Sequence, residues 1–444
     1  MAETNYQALR PHKGLLTGLR DLFTLHNHRV LVVITVVYAA QGLRTLGNFA
    51  MLLYFKEDLG VKEESKAQAL LATTMLPWYI KPVYGLISDS LPICGSHRKA
   101  YLLLSAAIGI VAYLAFLAPL GLTSTMICLI CGQLGQVVAD IIADALMVVE
   151  SRADTEYGSS FLQAYSWGVM SIVSLLGGVL GSYLSYVGVS PSVVLTSLAV
   201  APLLIIVAAM GYTEPEKDQF PRFRETVSGL ISAISQKSTY KSLIFLYLIA
   251  ASVPSMSQVM KYFLTNQLYF SNHFLYLISG AGGLSYLTAA AIFSHWLKNW
   301  TLRSVLMCGQ ILLICCCWLD LCLILGYNRY LYLPDELFYA GSAYISASIS
   351  GAFILFPGLV IAAQLCPHNL EATMYAFVTS VNNFGMYTSE LFGSAVTQLV
   401  VPIPGQYENF YQFSMLQMAF MFVPLMLLGL LPKGTKCSEQ GKGE

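Results

Sequence analysis

Long apolar runs alternate with short polar connections along most of the 444-residue chain. A helix needs about 20 mostly apolar residues to cross the hydrocarbon core of a bilayer. Twelve runs reach that length, near residues 29–54, 67–89, 99–120, 124–149, 159–187, 190–212, 241–267, 269–297, 302–326, 337–364, 370–400 and 408–432. Backbone groups in lipid must find hydrogen bonds within their own segment, so each run is predicted to be a transmembrane helix.

Basic residues distinguish the two sides of the predicted bundle. With the N-terminus in the cytoplasm, the connections on that side hold 17 lysines and arginines, and the outer connections hold four. The cytoplasmic set is Arg10, Lys13, Arg20, Arg29, Arg98, Lys99, Arg152, Lys217, Arg222, Arg224, Lys237, Lys241, Lys298, Arg303, Lys433, Lys436 and Lys442. The outer set is Lys56, Lys62, Lys66 and Arg329. Because short cytoplasmic loops carry the excess of Lys and Arg, both termini are predicted to be cytoplasmic.

The longest polar connection, 213–240, divides the chain into two halves of six predicted helices each. The predicted units are a cytoplasmic N-terminal segment 1–28, an N-terminal half 29–212, a cytoplasmic linker 213–240, a C-terminal half 241–432 and a cytoplasmic tail 433–444. Within the linker, the sequence PRFRETVSGLISAIS predicts an amphipathic helix that lies on the inner leaflet. Two six-helix halves around a midplane site are typical of major facilitator transporters.

Composition agrees with a multi-pass membrane protein and excludes other classes. Hydrophobic residues make up 56% of the chain and charged residues 11%, whereas soluble domains carry about 25% charged residues. Acidic and basic residues number 24 each, so no basic excess indicates a nucleic-acid partner. No nucleotide-binding loop, metal-ligand helix or nucleophile motif occurs in a suitable context. We therefore expect a monomer in the lipid bilayer that is not an enzyme and holds no cofactor or metal. The expected location is the plasma membrane, with an organelle membrane as the alternative.

The stretch 76–102, LPWYIKPVYGLISDSLPICGSHRKAYL, begins as an apolar helix and ends in small and charged residues. Its Gly-x-x-x-Asp pattern and the basic residues after it resemble the loop between helices two and three of the major facilitator superfamily. That resemblance implies a close approach of helices at the glycine and a latch on the cytoplasmic side. The predicted cytoplasmic gate comprises Gly85, Asp89, Arg98, Lys99, Glu150 and Arg152. Ordinary charges that flank helices are the alternative interpretation.

Three longer motifs narrow the resemblance further. They are LPWYIKPVYGLISD from Leu76, ADIIADALMVVE from Ala139, and AAQLCPHNLEATMYAFVTSVNN from Ala362. Together they resemble the folate-biopterin transporter family, and the resemblance extends over nearly the whole chain. It implies a twelve-helix secondary active carrier of folates or pterins that works by alternating access, with the proton as coupling ion. The sequence departs from the family pattern at Gln258 and Tyr276, two positions that bear on substrate and ion coupling.

Two aspartates in the predicted fourth helix are the leading candidates for substrate binding or proton coupling. Asp140 and Asp144 are four residues apart, so they share one face of the helix. Two uncompensated carboxylates in a low-dielectric helix tend to hold a proton, as a proton-coupled carrier requires. A carboxylate can also accept hydrogen bonds from the 2-amino group and the ring N–H of a pterin at once. The alternative is that one aspartate is a structural partner for a buried cation.

Lys81 is a charged residue within an apolar span, where insertion costs about 3 kcal/mol. It must therefore face a partner or a watery cavity. Its distance along the second helix places it between Asp140 and Asp144 in membrane depth. We predict an ion pair that changes partner during the transport cycle, and a permanent structural pair is the alternative.

Five further residues are candidates for contact with substrate. Arg44, near Gln41 in the first helix, is suited to a substrate carboxylate or, alternatively, to an acidic side chain in helix four or eleven. Asn382 and Asn383 can donate to and accept from a heteroaromatic ring, although Asn383 is equally suited to packing between helices. Trp167 is a candidate for stacking on a pterin.

Lys261 and Glu390 are predicted near the outer ends of helices seven and eleven, where they would form an outer latch. Two alternatives to a folate or pterin carrier are open at this point. One is a carrier of another organic anion or aromatic metabolite with the same fold. The other is a receptor that binds but does not transport. The cost of burying several charges favours a working cavity over a receptor.

Overall fold

The computed structural model describes residues 27–151, 158–214, 223–297, 299–365 and 371–431. Within these ranges the chain is helical, with one isolated backbone bridge between Ile93 and Ser96. All twelve predicted runs fall on helices. Four predicted features lie wholly or partly outside the described residues. They are the N-terminal segment except for its last two residues, part of the linker, the tail 433–444, and Arg152.

The described part of the first half contains nine α-helices. They are α1 His28–Leu53, α2 Glu64–Thr74, α3 Leu76–Tyr79, α4 Lys81–Ser90, α5 Lys99–Leu114, α6 Leu122–Ser151, α7 Gly158–Tyr186, α8 Pro191–Ser197 and α9 Val200–Gly211. The linker helix α10 spans Phe223–Ser235, at the position where the sequence predicts an amphipathic helix.

Among the residues described in the second half there are nine further α-helices. They are α11 Lys237–Ala251, α12 Ser257–Asn266, α13 Asn272–Ile292, α14 Leu302–Ile324, α15 Asp335–Ser350, α16 Phe356–Gln364, α17 Glu371–Val400, α18 Phe410–Phe420 and α19 Phe422–Leu427. Single turns of π-helix extend α1 over Tyr54–Asp58 and α13 over Phe293–Leu297, and a third, Gly351–Leu355, joins α15 to α16.

Nine helices among the described residues are long and apolar enough to cross a membrane. The other three predicted spans fall on α2–α4, on α11–α12 and on the continuous 30-residue helix α17. Prolines accompany the interruptions, because a proline has no N–H for the helical ladder and fits best in the first turn of a new helix. Pro77 and Pro82 lie in the first turns of α3 and α4, and Pro254 lies between α11 and α12.

Small residues let the two halves approach closely. Helix α7 of the first half packs along α13 of the second. A Cβ atom at Gly178 would meet the backbone of Gly280, and a Cβ atom at Gly280 would meet the backbone of Gly178. Backbone contact of this kind is how membrane helices gain van der Waals packing in the absence of a hydrophobic driving force.

The hydrophobic cores differ between the two ends of the bundle. We call the end that carries residues 54–63, 187–190 and 267–271 the outer end, after the predicted orientation. There, both halves contribute to one cluster, the outer core, which contains Phe49 of the first half and Phe263 and Phe410 of the second. Elsewhere the described residues form separate clusters for each half, one around Ile142 and one around Phe245. The halves are thus closed against each other at the outer end.

Polar contacts reinforce this outer closure. Lys56 Nζ donates to Thr265 Oγ1 at 2.9 Å and to Asn266 Oδ1 at 2.7 Å. The Glu64 side chain is buried, and its Oε1 accepts a 2.7 Å hydrogen bond from the Tyr407 hydroxyl. Each of these bonds joins the first half to the second.

Candidate functional site

Helices α4 and α6 bring one buried lysine against two aspartates. Lys81 is the first residue of α4, and Asp140 and Asp144 lie one turn apart on α6. Lys81 Nζ contacts Asp140 Oδ2 and lies 3.5 Å from Asp144 Oδ2. The side chains of Lys81 and Asp140 are each 7% exposed, and that of Asp144 is 30% exposed. Lys81 therefore lies within ion-pair distance of both carboxylates.

Helix α1 supplies a further partner to each aspartate. Gln41 Nε2 donates to Asp140 Oδ1 at 2.6 Å, and the Tyr38 hydroxyl donates to Asp144 Oδ1 at 2.9 Å. We call Tyr38, Gln41, Lys81, Asp140 and Asp144 the acidic site. With all its ionisable groups in their ordinary states it holds two negative charges and one positive charge. The surplus negative charge in a low-dielectric environment favours the uptake of one proton or one cationic group.

Trp78 lies between two cations beside the acidic site. Its ring centroid is 5.6 Å from Lys81 Nζ and 5.1 Å from Arg44 Cζ, within the range of cation–π contacts. Its indole Nε1 donates to Gln133 Oε1 at 2.9 Å. Among the described residues Arg44 has no hydrogen bond or ion pair, so the predicted acidic partner in helix four or eleven is not found there. Arg44 lines a cavity of about 30 Å³ together with Gln136.

The other substrate candidates lie outside the hydrogen-bonded acidic site. The Trp167 ring packs on Tyr286 of α13, with centroids 6.0 Å apart. Asn382 and Asn383 lie in the middle of α17, and Asn382 Nδ2 approaches Met386 Sδ at 3.9 Å. Within the described part of the chain, no hydrogen bond links these residues to the acidic site.

An aromatic cluster joins the two halves near α3. The ring of Tyr79 lies 5.0 Å from that of Tyr387 and 6.1 Å from that of Phe384, both on α17. Phe384 also stacks on Tyr247 of α11, with centroids 5.7 Å apart and planes 22° from parallel. Aromatic pairs at these separations contribute about 0.5–1.5 kcal/mol each beyond the area that they bury.

The predicted cytoplasmic gate lies within the first half. Asp89 Oδ1 accepts a 2.5 Å hydrogen bond from Arg98 Nη2, so this predicted pair is present. Lys99 Nζ instead donates to the carbonyl oxygens of Met210 at 3.2 Å and Tyr212 at 2.9 Å. These bonds hold the loop between α4 and α5 against the end of α9.

The remaining gate residues have separate surroundings. Glu150 Oε1 accepts from the Asn27 backbone N–H at 2.7 Å. A Cβ atom at Gly85 would lie 3.7 Å from Ile141 Cγ2, which is ordinary van der Waals contact between α4 and α6. Arg152 lies outside the described residues.

Glu214 is an organising residue of this loop that sequence analysis missed. Its Oε2 accepts from the Ser96 hydroxyl at 2.5 Å and from the backbone N–H groups of Arg98 and Lys99, and its Oε1 accepts from the His97 N–H at 3.0 Å. Partial burial acts to raise the pKa of Glu214, but these hydrogen bonds outweigh it and hold the pKa below its usual range. Nothing in the sequence distinguishes this glutamate from other acidic residues of the linker.

The predicted outer latch between Lys261 and Glu390 is not formed in this structure. Lys261 Nζ donates to Gln258 Oε1 at 3.4 Å. Glu390 Oε1 accepts from the Ser255 hydroxyl at 2.8 Å, and its Oε2 accepts from Gln68 Nε2 at 2.9 Å. Since Gln68 lies on α2 and Glu390 on α17, the contact that joins the two halves here is the Gln68–Glu390 hydrogen bond.

Comparison with solved structures defines the class of protein. The fold matches a D-xylose-proton symporter with a TM-score of 0.66 and 14% sequence identity, covering 91% of this chain and 99% of that one. It matches an auto-inhibited peptide transporter of the POT family with a TM-score of 0.67 and 11% identity, covering 90% and 96%. The chain therefore has the fold of major facilitator transporters, and its nine long apolar helices among the described residues fit a multi-pass integral membrane protein.

Sequence comparison then gives the family. The sequence profile of the BT1 family matches residues 41–444, and the chain belongs to that family. A folate-biopterin transporter of Synechocystis sp. is 28% identical over 411 residues, which cover 91% of this chain and 82% of that protein. Folate transporter 1 of Plasmodium falciparum is 25% identical, with 90% of this chain and 78% of that protein covered. The resemblance drawn from the sequence motifs is thus confirmed.

Proposed function

We propose that this protein is a secondary active transporter of folates or pterins, that it works by alternating access, and that the proton is its coupling ion. Relatives with these named substrates support the choice of substrate. The acidic site is the observation that carries the proposal, because it combines two carboxylates with one lysine on neighbouring helices. The proposed transport mechanism uses the proton as coupling ion and requires no cofactor.

In this proposal the proton decides which aspartate Lys81 pairs with. When Asp140 takes a proton, its attraction for the ammonium group falls, and Lys81 moves fully to Asp144, already 3.5 Å away. When Asp140 releases the proton, Lys81 returns. The protonated Asp140 keeps acceptor capacity for the 2-amino group of a pterin and gains an O–H donor, so proton and substrate bind at this carboxyl together. Proton and substrate are coupled through one group.

The shape of the bundle supports alternating access. The outer core and the bonds of Lys56 and Glu64 close the two halves against each other at the outer end. Away from that end each half has its own hydrophobic cluster. In the proposed cycle these outer contacts separate, and the halves rock around the acidic site to close the opposite end.

Uptake into liposomes tests the substrate assignment. Purified protein is reconstituted, and uptake of labelled folate is measured with unlabelled folate, biopterin or an unrelated organic anion as competitor. The proposal predicts saturable uptake that folate and biopterin inhibit and the unrelated anion does not. Saturable binding without uptake would mean a receptor, and inhibition by the unrelated anion alone would mean a different substrate class.

A further inference from the structure

A second polar region lies between α1 and three helices of the second half. A cavity of about 250 Å³ is enclosed by α12, α13 and α15 of the second half and is bounded by Phe49 of α1. Its polar lining includes Lys261, Ser279, Tyr339 and Tyr344. Because Phe49 and Leu275 line the cavity and also belong to the outer core, the cavity lies at the boundary between the halves and adjoins the outer core.

Lys261 is a positive charge without an ion pair in this lining. Its ammonium group has one hydrogen bond, to the neutral amide oxygen of Gln258 at 3.4 Å, and no ion pair with any residue in the described ranges. Glu390 lies beyond ion-pair distance, and its oxygens are already bonded to Gln68 and serine hydroxyls. An unpaired charge in a membrane domain is costly, and such residues mark the paths of charged ligands.

We propose that Lys261 binds a carboxylate of the transported molecule, so that this cavity selects ligands in which an aromatic group carries an anionic tail. Arg44 also forms no ion pair with a described residue, but its cavity of about 30 Å³ has room for a single water molecule. The Lys261 cavity is several times larger and accommodates a carboxylate with its side chain. The hydroxyls of Ser279 and Tyr339 line the same cavity and can donate to the second carboxylate oxygen.

This inference rests on the proposed function for its choice of ligand. Folate joins a pterin to p-aminobenzoylglutamate, and biopterin has the pterin without a carboxylate. The proposal therefore predicts a preference for folate over biopterin. It leaves the pterin end of the molecule to the acidic site.

Calorimetric binding to the purified full-length protein tests the inference without transport. The probes are p-aminobenzoylglutamate, which lacks the pterin, and biopterin, which lacks the carboxylate. Loss of one charge-assisted hydrogen bond predicts that Lys261→Gln weakens p-aminobenzoylglutamate binding about 10- to 100-fold. Biopterin binding is expected to be unchanged. Lys261→Arg is expected to restore most of the affinity for p-aminobenzoylglutamate, because it restores the positive charge.

Lys66→Gln, which removes an exposed lysine of α2, is the matched control and is expected to alter neither affinity. If Lys261→Gln weakens the binding of both probes equally, Lys261 has a structural role and the inference is overturned. Failure of the native protein to bind p-aminobenzoylglutamate would also overturn the inference. Thermal unfolding of each variant verifies that it is folded. Binding that depends on Lys261 without folate uptake would overturn the proposed transport function and leave the lysine site intact.

Discussion

Removing Lys81 isolates two carboxylates inside the bundle. In Lys81→Met, Asp140 loses the ammonium group that it contacts and keeps one bond from Gln41. Asp144 keeps the hydroxyl of Tyr38 and, being 30% exposed, remains accessible to water. Asp140, at 7% exposure, therefore bears most of the cost.

Two physical limits set the size of this effect. Breaking a buried ion pair by removing one partner costs about 3–5 kcal/mol. The cost cannot exceed the free energy needed to protonate Asp140, because the neutral carboxyl no longer needs a cation. For a carboxyl with an ordinary pKa of about 3.9, protonation costs about 4 kcal/mol at pH 7 and about 1.5 kcal/mol at pH 5. The folded variant then binds a proton that the unfolded chain releases, so its stability relative to the native protein rises as the pH falls. We expect a deficit of about 4 kcal/mol at pH 7 that shrinks to about 1.5 kcal/mol at pH 5.

Thermal unfolding in detergent at both pH values measures the deficit. The double variant Lys81→Met/Asp140→Asn is the control, because it removes both charges and is expected to recover most of the loss at pH 7. A deficit that is the same at pH 5 and pH 7, or a double variant less stable than the single one, would refute the reasoning. Either result would mean that Lys81 stabilises the protein through packing rather than charge.

Three further predictions concern the contacts between elements. Gly178→Ala forces a methyl group against the backbone of α13. The overpacking cost of about 1–3 kcal/mol predicts at least about fivefold slower uptake. Gly168→Ala, whose methyl group meets open space on the same helix, is the control and is expected to leave uptake unchanged. The Ser394 hydroxyl donates to the Ser65 carbonyl across the halves at 2.7 Å, so cysteines at these two positions would lie close enough to be cross-linked. Oxidation of the Ser65→Cys/Ser394→Cys variant is expected to stop uptake, and a reductant is expected to restore it. Uptake by the oxidised, cross-linked protein would contradict a moving outer closure. Glu214→Gln is expected to lower the free energy of unfolding by about 1–2 kcal/mol at pH 7. The pKa of Glu214 is lower in the folded protein than in the unfolded chain. Its contribution to stability is therefore fully present above the unfolded pKa of about 4.3 and is lost as the pH falls through the folded pKa. A stability difference between the native protein and Glu214→Gln that persists in acid would contradict this role.

The sequence predicts those features of the site that depend on the geometry of a single helix or a single short loop. The four-residue spacing of Asp140 and Asp144 fixes their common face, and the position of Lys81 along its helix fixes its depth. The Asp89–Arg98 pair is similarly local, since the two residues lie on either side of one short loop. Helical periodicity and chain length are sufficient for such predictions.

Contacts between distant helices do not follow from these rules. Gln68 lies on α2 and Glu390 on α17, and their hydrogen bond depends on how the two halves meet. Sequence reasoning paired Glu390 with Lys261 because opposite charges at similar depth attract. In the structure, neutral amide and hydroxyl donors satisfy the glutamate, and the lysine is directed to a cavity. Gln68 lies one turn after Glu64 on the same face of α2, and the structure buries both side chains.

The most direct test of the proposed coupling is folate uptake by reconstituted native protein and Asp140→Asn, each with and without an inward proton gradient. The account predicts that the gradient stimulates uptake by the native protein. It also predicts that Asp140→Asn, which cannot exchange a proton at that position, loses the stimulation while remaining folded. Native uptake that ignores the gradient, or stimulation that survives in Asp140→Asn, would contradict proton coupling at the acidic site.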